Sequence, residues 1–201
     1  MIAALRGAFR GRSGEAIVVD VNGVGYEVVL PPIVEQALGP LAEGAPLDLK
    51  IAYLATRDQP TPVLYGFARE EERQFWLLLK SVTRVGPRGA ARAMVLPINR
   101  IAQAIQEQNT RLVDSLPGIS AAGAEKIVAT LRQKVAGFAA LEETATARLP
   151  STDDELKRLA VELLVEMGIK RPDATRDVAR LLKAQPELRA VEDVVMEYFR
   201  Q

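Results

Sequence analysis

Val82-Thr83-Arg84-Val85-Gly86-Pro87 and Leu116-Pro117-Gly118-Ile119-Ser120 share one pattern: a Gly-bearing turn framed by β-branched residues between two apolar helical stretches. Such a turn leaves successive backbone N–H groups unpaired and directed outward at the start of the second helix. Unpaired amides at the positive end of a helix dipole form a site for phosphate. Two of them, one for each strand of a duplex, would grip nucleic acid through its backbone without reading bases. Gly86 and Gly118 are also compatible with ordinary turns, which use glycine freely. Charge concentrates in the same region. Residues 71–141 hold 10 Lys and Arg against 5 Asp and Glu, whereas 1–70 hold 6 against 8 and 142–201 hold 10 against 13. A local surplus of this kind is what phosphate binding draws on, although an ordinary mixed surface can carry it too. Arg84, Val85, Gly86, Arg88, Arg92, Gly118, Ile119, Ser120 and Lys126 form the candidate backbone-binding set.

Other chemistries find little support. The chain has no cysteine and no histidine. That excludes disulfides, thiolate chemistry and a His-based triad, and removes the commonest metal ligand. No catalytic residue, cofactor or metal is indicated. No apolar run reaches the roughly 20 residues of a membrane span, and Met1 to Gly7 lacks the charged n-region and long h-region of a signal peptide. The chain reads as soluble and cytoplasmic. At 201 residues, 48% hydrophobic, it can bury a core in one large domain or two to three small ones.

The elements that must position the turns are legible in outline. Residues 1–67 read as β structure. Glu15 to Asp20 and Val24 to Leu30 are rich in Val and Ile and join through Asn22-Gly23, a hairpin signal because a type I′ turn needs positive φ. A short helix over Ile33 to Leu38 and a second hairpin, Leu47 to Ala55 with Pro62 to Phe67, suit a five-stranded OB-type barrel. From Arg69 the period becomes helical. Glu70, Glu71 and Glu72 complement the dipole of the first turn, and Phe75, Leu78, Leu79 and Val82 follow at helical spacing. Phe75, Trp76 and Leu79 read as core, not as a base-stacking platform. Beyond the first turn come a helix from Arg88 to Leu96, one capped by Asn99 to about Gln108, and a short one capped by Thr110 to Ser115. Ala122 to Val135 follows the second turn. Residues 138–152, rich in Ala, Thr and Glu, read as a flexible linker. Residues 153–201 read as three short helices, with Ser151 or Thr152 as first cap, Gly168 as a stop and Pro172 opening the second helix.

Along its whole length the chain resembles the RuvA family of Holliday junction branch migration proteins. The words carrying the resemblance are Met1-Ile2-Ala3-Ala4-Leu5-Arg6-Gly7, Val19-Asp20-Val21-Asn22-Gly23-Val24-Gly25-Tyr26-Glu27-Val28, Leu64-Tyr65-Gly66-Phe67, Glu70-Glu71-Glu72-Arg73 and the two turns. The resemblance implies a multidomain α+β protein. An OB-fold domain (1–67) would carry the oligomer and the junction centre, and a tandem helix-hairpin-helix domain (68–137) the DNA arms. The linker (138–152) would tether a three-helix bundle (153–201) that meets a RuvB-like hexameric ATPase. It further implies a homotetramer, four-way junction DNA as ligand, a junction resolvase in the same complex and no ATPase of its own, in keeping with the missing Gly-x-x-x-x-Gly-Lys-Ser/Thr loop. Leu163, Leu164, Met167, Leu181 and Leu182 would be bundle core or, where exposed, the docking patch for the partner.

This chain departs from the family pattern in three places. The family's turns usually read Gly-Val-Gly and Gly-Ile-Gly; Arg84 replaces the leading glycine of the first, and Ser120 the trailing glycine of the second. A non-glycine residue at positive φ costs about 1 kcal/mol, so each turn must shift or carry strain. Ala121-Ala122 stands where the family has a basic pair, while Arg88 and Lys126 remain and Arg84 and Arg92 add charge. The acidic pin that the family carries on the loop before Leu64 is reduced here to Asp58, beside Arg57. Asp58 is a pin residue or a solvated loop aspartate. An alternative follows from these departures: a diverged paralogue that keeps fold and oligomer as an interaction scaffold with weakened DNA binding. A nuclease or glycosylase that uses the turns only for grip is disfavoured by the absence of His, Cys and clustered carboxylates.

Overall fold

The structure is a computed structural model that describes residues 1–55, 61–141, 153–186, 188 and 190–200. Its chain forms two compact units, Met1–Leu78 and Leu79–Gln201.

In the first unit, β1 (Ala4–Ser13), β2 (Ala16–Val21), β3 (Val24–Val29), β4 (Pro46–Leu54) and β5 (Val63–Phe67) close into a barrel in the order β1-β2-β3-β5-β4. Every pairing is antiparallel except β3 with β5. A short helix, α1 (Pro32–Leu38), bridges β3 and β4. This is the barrel the alternating Val and Ile residues imply, and it is consistent with the OB type. Along β4, Leu47, Leu49 and Ile51 are buried while Asp48 between them is exposed, the period of a strand with one face inward. Asn22 and Gly23 take φ of 53° and 86°, the type I′ turn that the dipeptide predicts. Asp20 accepts a hydrogen bond from the Gly23 amide at 2.8 Å. That bond, with Arg10 beside it, holds the Asp20 carboxyl below the usual aspartate range.

The helix α2 (Glu70–Ser81) begins on a carboxylate that reaches backwards. Buried Glu72 accepts from the amides of Ala68 and Arg69 at 3.0 and 3.1 Å, which satisfies donors a helix start leaves open. Trp76 packs its ring 4.8 Å from Tyr65 and 5.7 Å from Phe67, so the start of α2 belongs to the barrel core. Phe75, Trp76 and Leu79 are buried, as their spacing implies.

The second unit holds α3 (Pro87–Arg92), α4 (Ile98–Gln106), α5 (Thr110–Ser115), α6 (Ala121–Leu131), α7 (Ala136–Ala139), α8 (Asp153–Glu166), α9 (Arg171–Ala184) and α10 (Val191–Arg200). Several boundaries correct the expectation. The helix expected to reach Leu96 stops at Arg92, and Ala93 to Leu96 continue as buried non-helical chain. The helix expected over 122–135 ends at Leu131; residues 132–135 turn, and α7 begins only at Ala136. Asn99 is not the N-cap of α4: that residue is Pro97, while the Asn99 Oδ1 accepts from Arg100 N at 3.0 Å and its Nδ2 donates to the Leu141 carbonyl at 3.4 Å. Thr110 does not cap α5. Gln108, at φ 58°, turns the chain one position earlier, so Asn109 sits at the cap and accepts from Leu112 N at 3.1 Å.

The last three helices form a bundle. Gly168, at φ 89°, closes α8, and Pro172 lies in the first turn of α9, where a missing N–H is harmless. Ser151, Thr152 and most of the expected linker lie outside the described residues. The bundle is fastened to α4 and α5 through α10. Arg100 pairs with Asp193, Asn109 Nδ2 donates to the Phe199 carbonyl at 3.2 Å, and Arg200 meets Glu107 at 3.6 Å. The Arg111 guanidinium lies over the rings of Tyr198 and Phe199, 5.8 and 5.9 Å from their centroids.

Candidate nucleic-acid interface

The first bend joins α2 to α3. The Val85 amide donates to the Val82 carbonyl at 3.0 Å, Arg84 takes φ 76°, and Gly86 follows as the N-cap residue of α3 in extended conformation. The second bend joins α5 to α6 and repeats this conformation 34 positions later, as 84 against 118 shows. Ile119 N donates to the Leu116 carbonyl at 3.1 Å, Gly118 takes φ 81°, and Ser120 is the extended N-cap residue of α6. After each bend the first helical hydrogen bond closes on the cap residue, Ala90 N to Gly86 O at 2.9 Å and Ala124 N to Ser120 O at 2.8 Å. Two unlike sequences therefore adopt one backbone. Val82, Val85 and Leu116 are buried and anchor the bends, while Arg84, Gly86, Gly118 and Ser120 are exposed.

Within this frame the amides are available. Among the described residues no acceptor faces the N–H groups of Arg84, Gly86, Gly118 or Ser120. The opening amides of α6, at Ala121 and Ala122, have no intrahelical partner. Two amides of the second bend are taken: Ile119 N donates to the Leu116 carbonyl at 3.1 Å, and Gly123 N to the Ser120 Oγ at 3.2 Å. Val85 is buried and Ile119 half-buried, and the amide of each is spent inside its own bend, on the carbonyls of Val82 and Leu116. Contrary to the expectation, these two residues anchor the bends and present no donor to phosphate. Around the bends Arg84, Arg88, Arg92 and Lys126 are all exposed. In the equivalence of the bends, Arg88 corresponds to Ala122 and Arg92 to Lys126. The first bend therefore carries three cations and the second one.

The two departures from glycine resolve differently. Arg84 occupies the left-handed region and carries the strain. Ser120 does not. Its φ of −99° and ψ of 160° are open to any residue, and its hydroxyl makes it a good N-cap. The second bend is thus unstrained, against the expectation that each non-glycine residue would distort its turn.

The bends touch one another. A Cβ placed on Gly89, in α3, would lie 2.8 Å from the Gly118 carbonyl oxygen, and one on Gly118 would lie 3.0 Å from the Gly89 Cα. Gly89 stands outside the predicted set; its signal in the sequence is a glycine inside a short helix. The remaining predicted residues fall elsewhere. Asp58 lies outside the described residues. Of the proposed docking set, Leu164, Met167 and Leu181 are buried at 0%, 4% and 1% exposure. They are bundle core because they face the other helices of the bundle at helical period. Leu163 and Leu182 are half-buried. Leu182 lines a groove of about 280 Å³ with Leu156, Lys157, Ala179, Lys183, Pro186 and Leu188. Among the described residues no helix is long and apolar enough to cross a membrane.

The sequence has close counterparts. Residues 1–66, the barrel, match the family model for the RuvA N terminal domain. A Holliday junction branch migration complex subunit RuvA from Desulfosudis oleivorans is 37% identical over 201 residues, covering 100% of this chain and 98% of the relative. Its counterpart in Desulfatibacillum aliphaticivorans is 36% identical over 203 residues, at the same coverage. One from Corynebacterium diphtheriae is 30% identical over 191 residues, covering 94% and 92%. Identity at this level over essentially the full length of both chains shows that the chain belongs to the RuvA family.

Proposed function

We propose that this protein binds four-way DNA junctions through the backbone amides and cations of its two bends, acting as tandem helix-hairpin-helix motifs. The observation that carries the reading is the repetition of one bend conformation at Arg84 and Gly118, each with open amides beside exposed basic residues. Phosphates of the two strands of an arm would accept from the amides of Arg84, Gly86, Gly118 and Ser120. Arg88, Arg92 and Lys126 would add ion pairing, so affinity would come from backbone, not sequence. The names of the relatives support a place in a branch migration complex. In that complex the protein is a non-catalytic subunit in the cytoplasm, a homotetramer assembled through the barrel. Its last three helices, 153–201, offer the groove at Leu182 to a RuvB-like hexameric ATPase, with a junction resolvase as a further partner. Asp58 serves as a reduced pin at the junction centre.

A second reading, an interaction scaffold with weakened DNA affinity, is favoured by Ala121-Ala122 and by the Ser120 hydroxyl on the Gly123 amide. One experiment separates the two. Electrophoretic mobility shift with a four-way junction and with a linear duplex of the same arm sequence should show clear preference for the junction. Equal or absent binding rejects the first reading and leaves the scaffold.

A further inference from the structure

Gly89 occupies the third position of α3, a helix of six residues. Glycine weakens a helix interior relative to alanine, because it brings no side chain and loses more backbone freedom. Its presence here is explained by what lies opposite. A Cβ at position 89 would sit 2.8 Å from the carbonyl oxygen of Gly118 and 3.7 Å from its carbonyl carbon. From the other side, a Cβ at 118 would meet the Gly89 Cα at 3.0 Å and the Gly89 carbonyl oxygen at 3.2 Å. Both partners are main chain, so neither can rotate away; one bend would have to move.

The equivalent position in the second bend behaves differently. A Cβ on Gly123 would meet the Ser120 Oγ at 3.3 Å, Ile119 Cγ2 at 3.6 Å and Val85 Cγ2 at 3.9 Å. These are side-chain atoms at distances that small adjustments accommodate. Of the two reciprocal contacts between the bends, only the one through Gly89 is backbone against backbone. It ends on Gly118, whose own amide is open, and begins three residues after Gly86, whose amide is open as well. The separation of the two amide sets is therefore fixed at this contact.

We propose that Gly89 is a positioning residue for DNA: its missing side chain sets the spacing at which the two bends meet phosphates on opposite strands. This rests on the backbone-binding reading above. It extends that reading from which groups touch DNA to what fixes the distance between them. A methyl group at 89 pushes Gly118 and its amide away from the first bend while removing no amide and no cation. Single-bend contact survives; simultaneous contact does not.

The test compares the full-length wild type with Gly89→Ala and Gly123→Ala. Four-way junction affinity is measured by fluorescence anisotropy over a range of KCl, alongside thermal unfolding. Gly89→Ala should unfold cooperatively near the wild-type midpoint yet bind the junction about 10-fold more weakly. Its plot of log affinity against log salt should be shallower by about 0.9 for each phosphate lost. Gly123→Ala should stay within about twofold of wild type. Gly89→Ala binding with unchanged affinity, or more weakly with an unchanged slope, overturns the spacing role while leaving the DNA reading intact. Failure of the wild type to bind any junction overturns the DNA reading itself, and the spacing role with it. Should Gly89→Ala not fold, phosphate ethylation interference on the wild-type complex decides. Blocking phosphates on both strands of an arm support the proposal, and blocking phosphates on one strand overturn it.

Discussion

Arg84 carries two opposed contributions in one side chain. Its backbone sits at φ 76°, where a Cβ costs about 1 kcal/mol that glycine would not. Its guanidinium is exposed beside open amides, where a phosphate would meet it. Arg84→Gly should therefore raise the thermal midpoint while making the salt dependence of junction binding shallower by about 0.9. Paired unfolding and binding measurements check both signs in the same protein; a lower midpoint would mean that the left-handed conformation is not strained. The strain was legible in the sequence because a Gly-bearing turn with arginine in its leading position has few alternatives. Ser120 was misread for a physical reason. The two glycines of such a turn do different work, the first supplying positive φ and the second an N-cap, and only the first excludes a side chain. Gly89 was not singled out because its partner, Gly118, is distant in sequence, and nothing local marks a close approach between two backbones.

Asn109 shows why element boundaries were less legible than element types. Asn99, Asn109 and Thr110 are all competent caps, and the choice among them is set by where the chain turns, here at Gln108. The Asn109 Oδ1 caps Leu112 N at 3.1 Å while its Nδ2 donates to the Phe199 carbonyl at 3.2 Å. Losing a cap costs about 1 kcal/mol and a part-buried hydrogen bond a similar amount. Asn109→Ala should therefore destabilise the second unit by about 2 kcal/mol in urea unfolding, whereas Asn99→Ala should cost less than half of that. The barrel offers an element-scale test by pH. The Asp20 carboxyl is held below its usual range by the Gly23 amide first and Arg10 second. A carboxyl with a lowered folded pKa contributes stability that is complete above the unfolded value, about 3.9, and is lost as pH falls through the folded one. Amide protection of the β2–β3 hairpin should accordingly weaken on acidification below about pH 4. In Asp20→Asn that acid-dependent component should vanish, leaving a hairpin less protected at neutral pH.

For the whole molecule, alternation of Val and Ile with Asn22-Gly23 was enough to anticipate a five-stranded barrel, and the helical period after Arg69 was enough to anticipate a helical remainder. The attachment of the last helices was not legible. Arg100 to Asp193 and Asn109 to Phe199 join residues 93 and 90 positions apart, and no local pattern announces such pairings. The same attachment explains why α10 has a mixed surface: Val194, Val195 and Phe199 are buried while Asp193 and Arg200 reach α4 and its C-cap. The exposed cations at the first bend outnumber those at the second, so under the proposed function the two strands of an arm would be held with unequal strength. The most direct measurement is on the amides themselves. Titrating ¹⁵N-labelled protein with a four-way junction should shift the N–H resonances of Arg84, Gly86, Gly118 and Ser120 together, at one stoichiometry. Resonances from those four positions that stay in place while others move would contradict the account.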